Sequence, residues 1–355
     1  MYIGEKGGLE ELMLKERGVP FAGIVCGKLR RYFDFKNLVD VIKIPLGIFQ
    51  AYRAIQRFKP DVVFAKGGYV SVPVVIAAFL RRVPVVIHES DVSPGLATRI
   101  CARFARVILL SWEESQKYFS KRAVHKFVVT GNIVRSTVTR GDKKRGYAYT
   151  GFAENKPIVL VMGGSTGSQF MNELVCSAAS ELVKECQLIH ITGVQKNSCV
   201  KNLPRGLKDY RSFEYVDKEL PDIYSITDLV VSRAGANSLA EIAECGIPNI
   251  LIPLPTTSSR GDQLENARVF EKAGASVVLK QEGLEEGNFV AAIKNLLADQ
   301  EKQRAMKEAL ASFRAPHALS LAVFAIVGPS RSLLQDHARY CHGKAPTWNG
   351  EKDLT

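Results

Sequence analysis

Four stretches of the 355-residue chain carry residue types and spacings suited to a phosphorylated ligand. Ile158-Val-Leu-Val-Met-Gly-Gly-Ser-Thr-Gly-Ser168 runs from an apolar strand pattern into a Gly/Ser turn, with a helical pattern beginning near Gln169. Backbone N–H groups at such a helix start, unobstructed at Gly163, Gly164 and Gly167, hold a diphosphate, and Ser165 adds a hydroxyl donor. The turn is neither GxGxxG nor a Lys-bearing P-loop, which argues against dinucleotide oxidoreduction and ATP hydrolysis. A tight turn with no ligand is the plain alternative. Ser232-Arg-Ala-Gly-Ala-Asn-Ser-Leu-Ala-Glu241 repeats the strand-turn-helix pattern and sets the Glu241 carboxylate in the first turns of a helix. One carboxylate there can accept both hydroxyls of a ribose, although a favourable charge near a helix start explains it too. Ser258-Ser-Arg-Gly-Asp-Gln-Leu-Glu-Asn-Ala267 places Asp262 and Gln263 beyond the carboxyl end of a strand, where ligands of parallel sheets sit. These side chains suit sugar hydroxyls, or simply cap a helix. His88-Glu-Ser-Asp-Val-Ser-Pro-Gly95 offers an imidazole and two carboxylates; His88 fits a structural hydrogen bond as well as proton transfer, so no general base is singled out.

The elements that position these groups are short Val/Ile-rich runs bounded by glycine or proline, with helical patterns between them. They are 61–65, 84–88, 106–110, 126–130, 157–162, 187–192, 228–232 and 248–253. Several are apolar almost throughout, as strands of a parallel sheet covered on both faces must be. The expected class is α/β, doubly wound. The polar segment 135–155, with basic residues from Arg140 to Arg145, is followed by a fresh strand-loop-helix signature at Pro157. This predicts a domain over 1–135, a linker over 136–155, a second domain over 156–325 and a loosely held tail over 326–355.

Composition narrows the function classes. The chain is 46% hydrophobic and 24% charged, which suffices for two ordinary cores. Its seven cysteines are odd in number and form no CxxC pair, and its six histidines show no ligand spacing, so neither a disulfide framework nor a bound metal is expected. A reducing compartment fits that cysteine usage. No segment approaches the roughly 20 apolar residues of a membrane span, and no signal core follows Met1. The net charge of +12 points to an anionic partner. Nucleic acid is disfavoured because no zinc-finger, RNP-like or helix-turn-helix signature accompanies the charge. The segment Lys28–Lys59 has eight Lys/Arg against two Asp, with Ile42, Leu46, Phe49 and Tyr52 at helical spacing. That stripe either meets a membrane surface or packs on its own sheet.

Together the motifs become specific. Gly27-Lys-Leu-Arg-Arg-Tyr-Phe-Asp34, Lys66-Gly-Gly-Tyr-Val-Ser-Val-Pro73, His88 to Leu96, Gly131-Asn-Ile-Val-Arg135, the Gly163 turn, the Ser232 turn and Gln263-Leu-Glu-Asn-Ala267 occur in the order and spacing of one family. Over residues 1 to about 325 the chain resembles the MurG family of N-acetylglucosaminyltransferases. The resemblance implies a glycosyltransferase B fold, two Rossmann-like domains facing across a cleft, with the UDP-sugar on the C-terminal one. It implies transfer of N-acetylglucosamine from UDP-N-acetylglucosamine to the C4 hydroxyl of undecaprenyl-pyrophosphoryl-MurNAc-pentapeptide, lipid I to lipid II, with inversion and without a cofactor. It assigns Arg135, Ser165 and the Gly164 turn to the diphosphate and Glu241 to the ribose. Gln263, Asp262 and Ala236 go to the sugar side, and Asp91 stands beside the donor sugar. It implies peripheral attachment to the anionic cytoplasmic face of the bacterial cell membrane, through Ile42, Leu46, Phe49 and Tyr52. Two other readings remain: another lipid-directed UDP-sugar transferase, or a non-catalytic UDP-sugar-binding protein. The latter is motivated by the family's first strand and histidine-bearing Gly-rich loop, which nothing in these 355 residues matches.

Overall fold

Six short parallel strands build each half of the chain. The computed structural model describes residues 1–27, 36–164, 167–204 and 206–328, with the side chains of Leu9 and 36–42 also outside the description. The 329–355 segment, and with it most of the expected tail, therefore lies outside the described residues. The chain divides into two compact units, Met1–Thr130 with the segment from His317 onward, and Gly131–Pro316. The division falls five residues before the expected boundary, and the expected linker belongs to the second unit.

Unit 1 contains β1 (Tyr2–Glu5), α1 (Leu9–Glu16), β2 (Phe21–Ile24), α2 (Lys36–Phe58), β3 (Val63–Ala65), α3 (Ser71–Leu80), β4 (Val85–Glu89), α4 (Leu96–Phe104), β5 (Val107–Leu110) and β6 (Phe127–Val129). Strands β3-β4-β5-β6 form one parallel sheet and β1-β2 a separate parallel pair. They share one core in which Ile24 and Ile55 pack with Val75, Ile87 and Ile108. Strands β4 and β5 are buried along their whole length, which is why they read as unbroken apolar runs. Helix α2 approaches the chain after β2 closely: a Cβ on Gly47 would stand 2.4 Å from the Val25 carbonyl oxygen, and Gln50 Oε1 accepts the Val25 N–H at 2.7 Å.

Unit 2 opens with α5 (Lys143–Thr150), started by Asp142, whose side chain accepts the Arg145 N–H, and closed by left-handed Gly151. It continues with β7 (Ile158–Met162), α6 (Gln169–Leu182), β8 (Gln187–Ile191), β9 (Tyr210–Phe213), α7 (Leu220–Ile226), β10 (Leu229–Ser232), α8 (Ala236–Cys245), β11 (Asn249–Leu251), α9 (Asp262–Lys272), β12 (Val277–Val278), α10 (Glu286–Ala298) and α11 (Gln300–Ala311). The last helix, α12 (Ala318–Val327), belongs to unit 1. The sheet order is β12-β11-β10-β7-β8-β9, parallel throughout. The chain winds outward from β7 to one side and then from β10 to the other, so the switch point lies between β7 and β10. In open α/β sheets that is where the crevice forms above the strands' carboxyl ends.

Candidate functional site

Two kinds of glycine surround the switch point of unit 2. Gly163 and Gly167 are closed in: an added Cβ would stand 2.4 Å from the Ser168 nitrogen and 2.1 Å from the Thr192 carbonyl oxygen. Gly167 also has φ +66°, where a side chain is strained. Gly164, at φ +82°, and Gly235, at the start of α8, would meet nothing within 4 Å. The first pair makes the turn; the second pair opens it. Helices α6 and α8 both begin here, and α8 has no side chain capping its first N–H groups. Two helix starts on adjacent strands, with open backbone at Gly164 and Gly235, present the electropositive N–H groups that suit an anion such as a diphosphate.

Glu241 lies on α8, mostly buried. Its Oε2 accepts the Tyr224 hydroxyl at 3.1 Å, and its Oε1 is 3.6 Å from Arg135 Nη2. Burial raises the carboxyl's pKa despite the pull of Arg135 and Tyr224. Burial also lifts the buried Tyr224 phenol well above its ordinary value, reinforced by Glu241. Burial opposes the Arg135 charge, but the hydrogen bond to Asp217 at 2.5 Å and the attraction of Glu241 outweigh it, so its pKa is raised. The two partners do not shift as a simple ion pair would. Desolvation governs the enclosed carboxylate, and hydrogen bonding governs the half-exposed guanidinium.

The structure thus brings Arg135 to Glu241 and puts Gly164, Ala236, Asp262 and Gln263 on the same unit. Ala236 is buried as the first residue of α8, and its carbonyl accepts Asn132 Nδ2 at 3.1 Å. Gln263 Oε1 accepts the Leu254 N–H at 3.0 Å, leaving its NH2 group without a partner among the described residues. Asp262 opens α9 after left-handed Gly261 and lies 3.8 Å from Arg260. Ser165 lies outside the described residues. Asp91 stands in unit 1, after β4, where its N–H bonds Glu89 Oε1 at 3.0 Å and its carbonyl accepts Ser115 Oγ at 3.2 Å. His88 is fully buried. Of the α2 stripe, Leu46 and Phe49 are exposed, whereas Tyr52 is half-buried against the core with Arg81 over its ring. The Ile42 side chain lies outside the described residues.

Several supporting residues escaped the sequence reading. Arg233 is 5% exposed and ties three loops together: Nη2 donates to Ser168 Oγ at 2.7 Å, and Nη1 to the carbonyls of Ile252 at 2.9 Å and Pro253 at 3.4 Å. Burial brings its pKa down to about 10. Behind the glycine turn, Asn172 Nδ2 donates to the carbonyls of Thr192 and Lys196, both at 2.9 Å, and Lys196 Nζ reaches the Gly167 carbonyl at 3.1 Å. His190 sits between Tyr210 and Asn172, and burial pushes its pKa down to about 4. Cys176 and Cys199 form a disulfide, Cα atoms 6.1 Å apart, contrary to the expectation from cysteine count and spacing. The pair is brought together by the return of the chain from β8 onto α6, which spacing alone does not reveal.

Comparison with known proteins agrees with this architecture. The glycosyltransferase family 28 N-terminal domain matches residues 1–110, and the family 28 C-terminal domain matches residues 158–321. The chain is 44% identical, over 85% of its length and 84% of the relative's, to a Bacillus cereus UDP-N-acetylglucosamine--N-acetylmuramyl-(pentapeptide) pyrophosphoryl-undecaprenol N-acetylglucosamine transferase 2. A Clostridium perfringens transferase of the same description is also 44% identical, over 85% of this chain and 83% of the relative. Among solved structures, Acinetobacter baumannii MurG superposes with TM-score 0.68 at 23% identity, covering 91% of this chain and 89% of that one. A UDP-GlcNAc 2-epimerase from Neisseria meningitidis, solved with UDP-GlcNAc bound, shares the fold at TM-score 0.61 and 14% identity, over 90% and 89%.

Proposed function

The chain belongs to the MurG family, and from that membership we infer that it transfers N-acetylglucosamine from UDP-N-acetylglucosamine to undecaprenyl-pyrophosphoryl-MurNAc-pentapeptide, lipid I to lipid II, in peptidoglycan synthesis. The C4 hydroxyl of the muramoyl sugar displaces UDP at the anomeric carbon with inversion. Unit 2 holds the donor: Glu241 accepts the ribose hydroxyls, the open backbone at Gly164 and Gly235 receives the diphosphate, and the Gln263 amide with Asp262 faces the sugar. As the bond to UDP breaks, negative charge grows on the diphosphate. The starts of α6 and α8 hold N–H groups in fixed positions that offset this charge, and the Arg135 guanidinium on the same unit adds a full positive charge. The observation that carries the donor assignment is the pair of open glycines flanking the switch point beside Glu241.

The protein works as a peripheral enzyme on the anionic cytoplasmic face of the membrane. Exposed Leu46 and Phe49 on α2 support this, with Arg53 5.7 Å from the Phe49 ring. No helix among the described residues is long and apolar enough to cross a membrane. A transfer assay with labelled UDP-N-acetylglucosamine and a short-chain lipid-linked acceptor, run beside a calorimetric titration with UDP, tests the reading. Product is expected. UDP binding without product would leave only a donor-binding protein, and neither signal would refute the assignment.

A further inference from the structure

One covalent link of unit 2 stands behind the donor site. Cys176 lies in the middle of α6, and Cys199 on a single helical turn, Ser198–Asn202, in the connection from β8 to β9; their disulfide fastens that turn to the helix. Both cysteines are half-buried, so a dissolved thiol can reach the bond. The free cysteines among the described residues are poorly suited to such exchange. Cys26, Cys101 and Cys186 are buried, and burial pushes the Cys101, Cys186 and Cys245 thiols up to about 12, far from the reactive thiolate. At the cytoplasmic face of a membrane the thiol pool makes and breaks an accessible disulfide, and the common role of such a bond there is sensing.

The segment between β8 and that turn touches the glycine turn that starts α6. Lys196 Nζ donates to the Gly167 carbonyl at 3.1 Å, and an added Cβ on Gly167 would stand 2.7 Å from the Gly193 Cα. A peptide unit is planar, so holding the Gly167 carbonyl also fixes the direction of the Ser168 N–H at the start of α6. Lys196 follows Gln195, whose φ of +60° is costly for any residue but glycine. Such a backbone persists only where its surroundings hold it. Asn172 does part of this, donating from Nδ2 to the Lys196 carbonyl at 2.9 Å, and Glu214 accepts the Gln195 N–H at 3.4 Å. The disulfide supplies the covalent part, and without it the segment depends on these weaker bonds.

We propose that the thiol–disulfide state of Cys176 and Cys199 sets the affinity of the glycine turn for the donor diphosphate, with Lys196 as the link, a proposal that rests on the donor-site reading above. The disulfide form holds Lys196 on the Gly167 carbonyl, and the dithiol form releases it. Oxidation joins the two sulfurs while two electrons and two protons pass to a low-molecular-weight disulfide, such as glutathione disulfide, which leaves as two thiols. In the reverse direction a thiolate attacks one sulfur, a second thiol resolves the mixed disulfide, and both cysteines regain their protons. Lys196 acts through the Gly167–Ser168 peptide and is a positioning residue.

The test equilibrates the full chain with dithiothreitol or with glutathione disulfide, verifies its state by thiol labelling and intact mass, and titrates each form calorimetrically with UDP and with uridine below the onset of melting. UDP should bind about three- to tenfold more weakly to the dithiol form, the net worth of one hydrogen bond. Uridine, which lacks the diphosphate, should bind both forms equally. A Cys176→Ser/Cys199→Ser chain should match the dithiol form with or without reductant, and Lys196→Met should bind UDP weakly in both states. Equal UDP affinity in the two verified states would overturn the proposal, as would failure of the disulfide to form with glutathione disulfide. A loss for uridine as large as that for UDP would overturn it in favour of a general loosening of unit 2. Redox dependence kept in Lys196→Met would remove Lys196 as the link. An unaltered chain that binds UDP in neither state would overturn the donor reading itself, and the proposal with it.

Discussion

Replacing Glu241 by glutamine separates what this carboxylate does for the ligand from what it does for the fold. Glutamine keeps an acceptor for the Tyr224 hydroxyl, which lies 3.1 Å from Oε2. It gives up the pairing with Arg135 at 3.6 Å, whose side chain is 46% exposed, a contact worth at most about 1 kcal/mol. Against that loss, the variant no longer buries a charge. Stability should therefore change by no more than about 1 kcal/mol in either direction. Donor binding should respond differently, because hydrogen bonds from ribose hydroxyls to a carboxylate are stronger than those to a neutral amide. The loss of roughly 1.5–3 kcal/mol weakens UDP about ten- to hundredfold. Titration calorimetry with UDP and with a dideoxyribose analogue reads this directly: the unaltered chain should discriminate between the two ligands and Glu241→Gln should not. The pH dependence has opposite signs for the two properties. With the folded pKa raised above the ordinary 4.5, this group's contribution to the stability of the empty protein falls as pH rises through the raised value, whereas UDP affinity rises with ionisation. Equal UDP affinity in both proteins at unchanged stability would show that Glu241 is no ribose ligand, and a loss of several kcal/mol of stability would show that it is a structural ion pair.

Three further outcomes follow from the supporting residues. Gly167→Ala puts a methyl 2.1 Å from the Thr192 carbonyl oxygen and should weaken UDP more than tenfold by displacing the turn. Gly274→Ala, also at positive φ but in open space, should cost about 1–2 kcal/mol of stability and leave UDP binding alone; equal behaviour of the two variants would contradict the turn's role. His190 is buried with its pKa lowered from 6.5 to about 4, so the unfolded chain takes the proton first as pH falls. About 3 kcal/mol of stability, fully present above pH 6.5, should be lost toward pH 4, and His190→Gln should flatten that slope in thermal melts whatever its absolute stability. Reduction of Cys176–Cys199, which spans a sequence separation of 23, should lower stability by about 3 kcal/mol, seen as a melting shift with dithiothreitol that is absent in Cys176→Ser.

The buried strands were legible in the sequence because full burial leaves an apolar run, and all eight runs contain strands of the structure. Four strands lie outside those runs: β1 at the start of the chain, β2, whose Phe-Ala-Gly-Ile has only two good strand formers, and the sheet edges β9 and β12. Edge strands are short and polar by necessity: β9 reads Tyr-Arg-Ser-Phe and β12 has two residues. Helix α12 was assigned with unit 2 because local periodicity says that a helix has an apolar face, not which core receives it. The glycine turns and Glu241 were legible because their chemistry is backbone geometry and charge at fixed offsets from a strand. The α2 stripe was only half legible: spacing grouped Tyr52 with Phe49, but their burial differs.

Arg233 shows where such reading stops. In sequence it is one cation among 48, inside a motif whose glycine and glutamate attract attention first. Burying a guanidinium costs several kcal/mol, and an apolar residue of similar size would pack there more cheaply. What the charge supplies is simultaneous bonding to Ser168 at the start of α6 and to the carbonyls of Ile252 and Pro253 beyond β11. Those groups lie on either side of β10, so a single side chain sets the spacing of the loops proposed to receive diphosphate and sugar. A site whose electrostatic advantage depends on donors already in position needs such a brace more than it needs the stability forgone. The brace touches no ligand itself, and its role follows from its three partners.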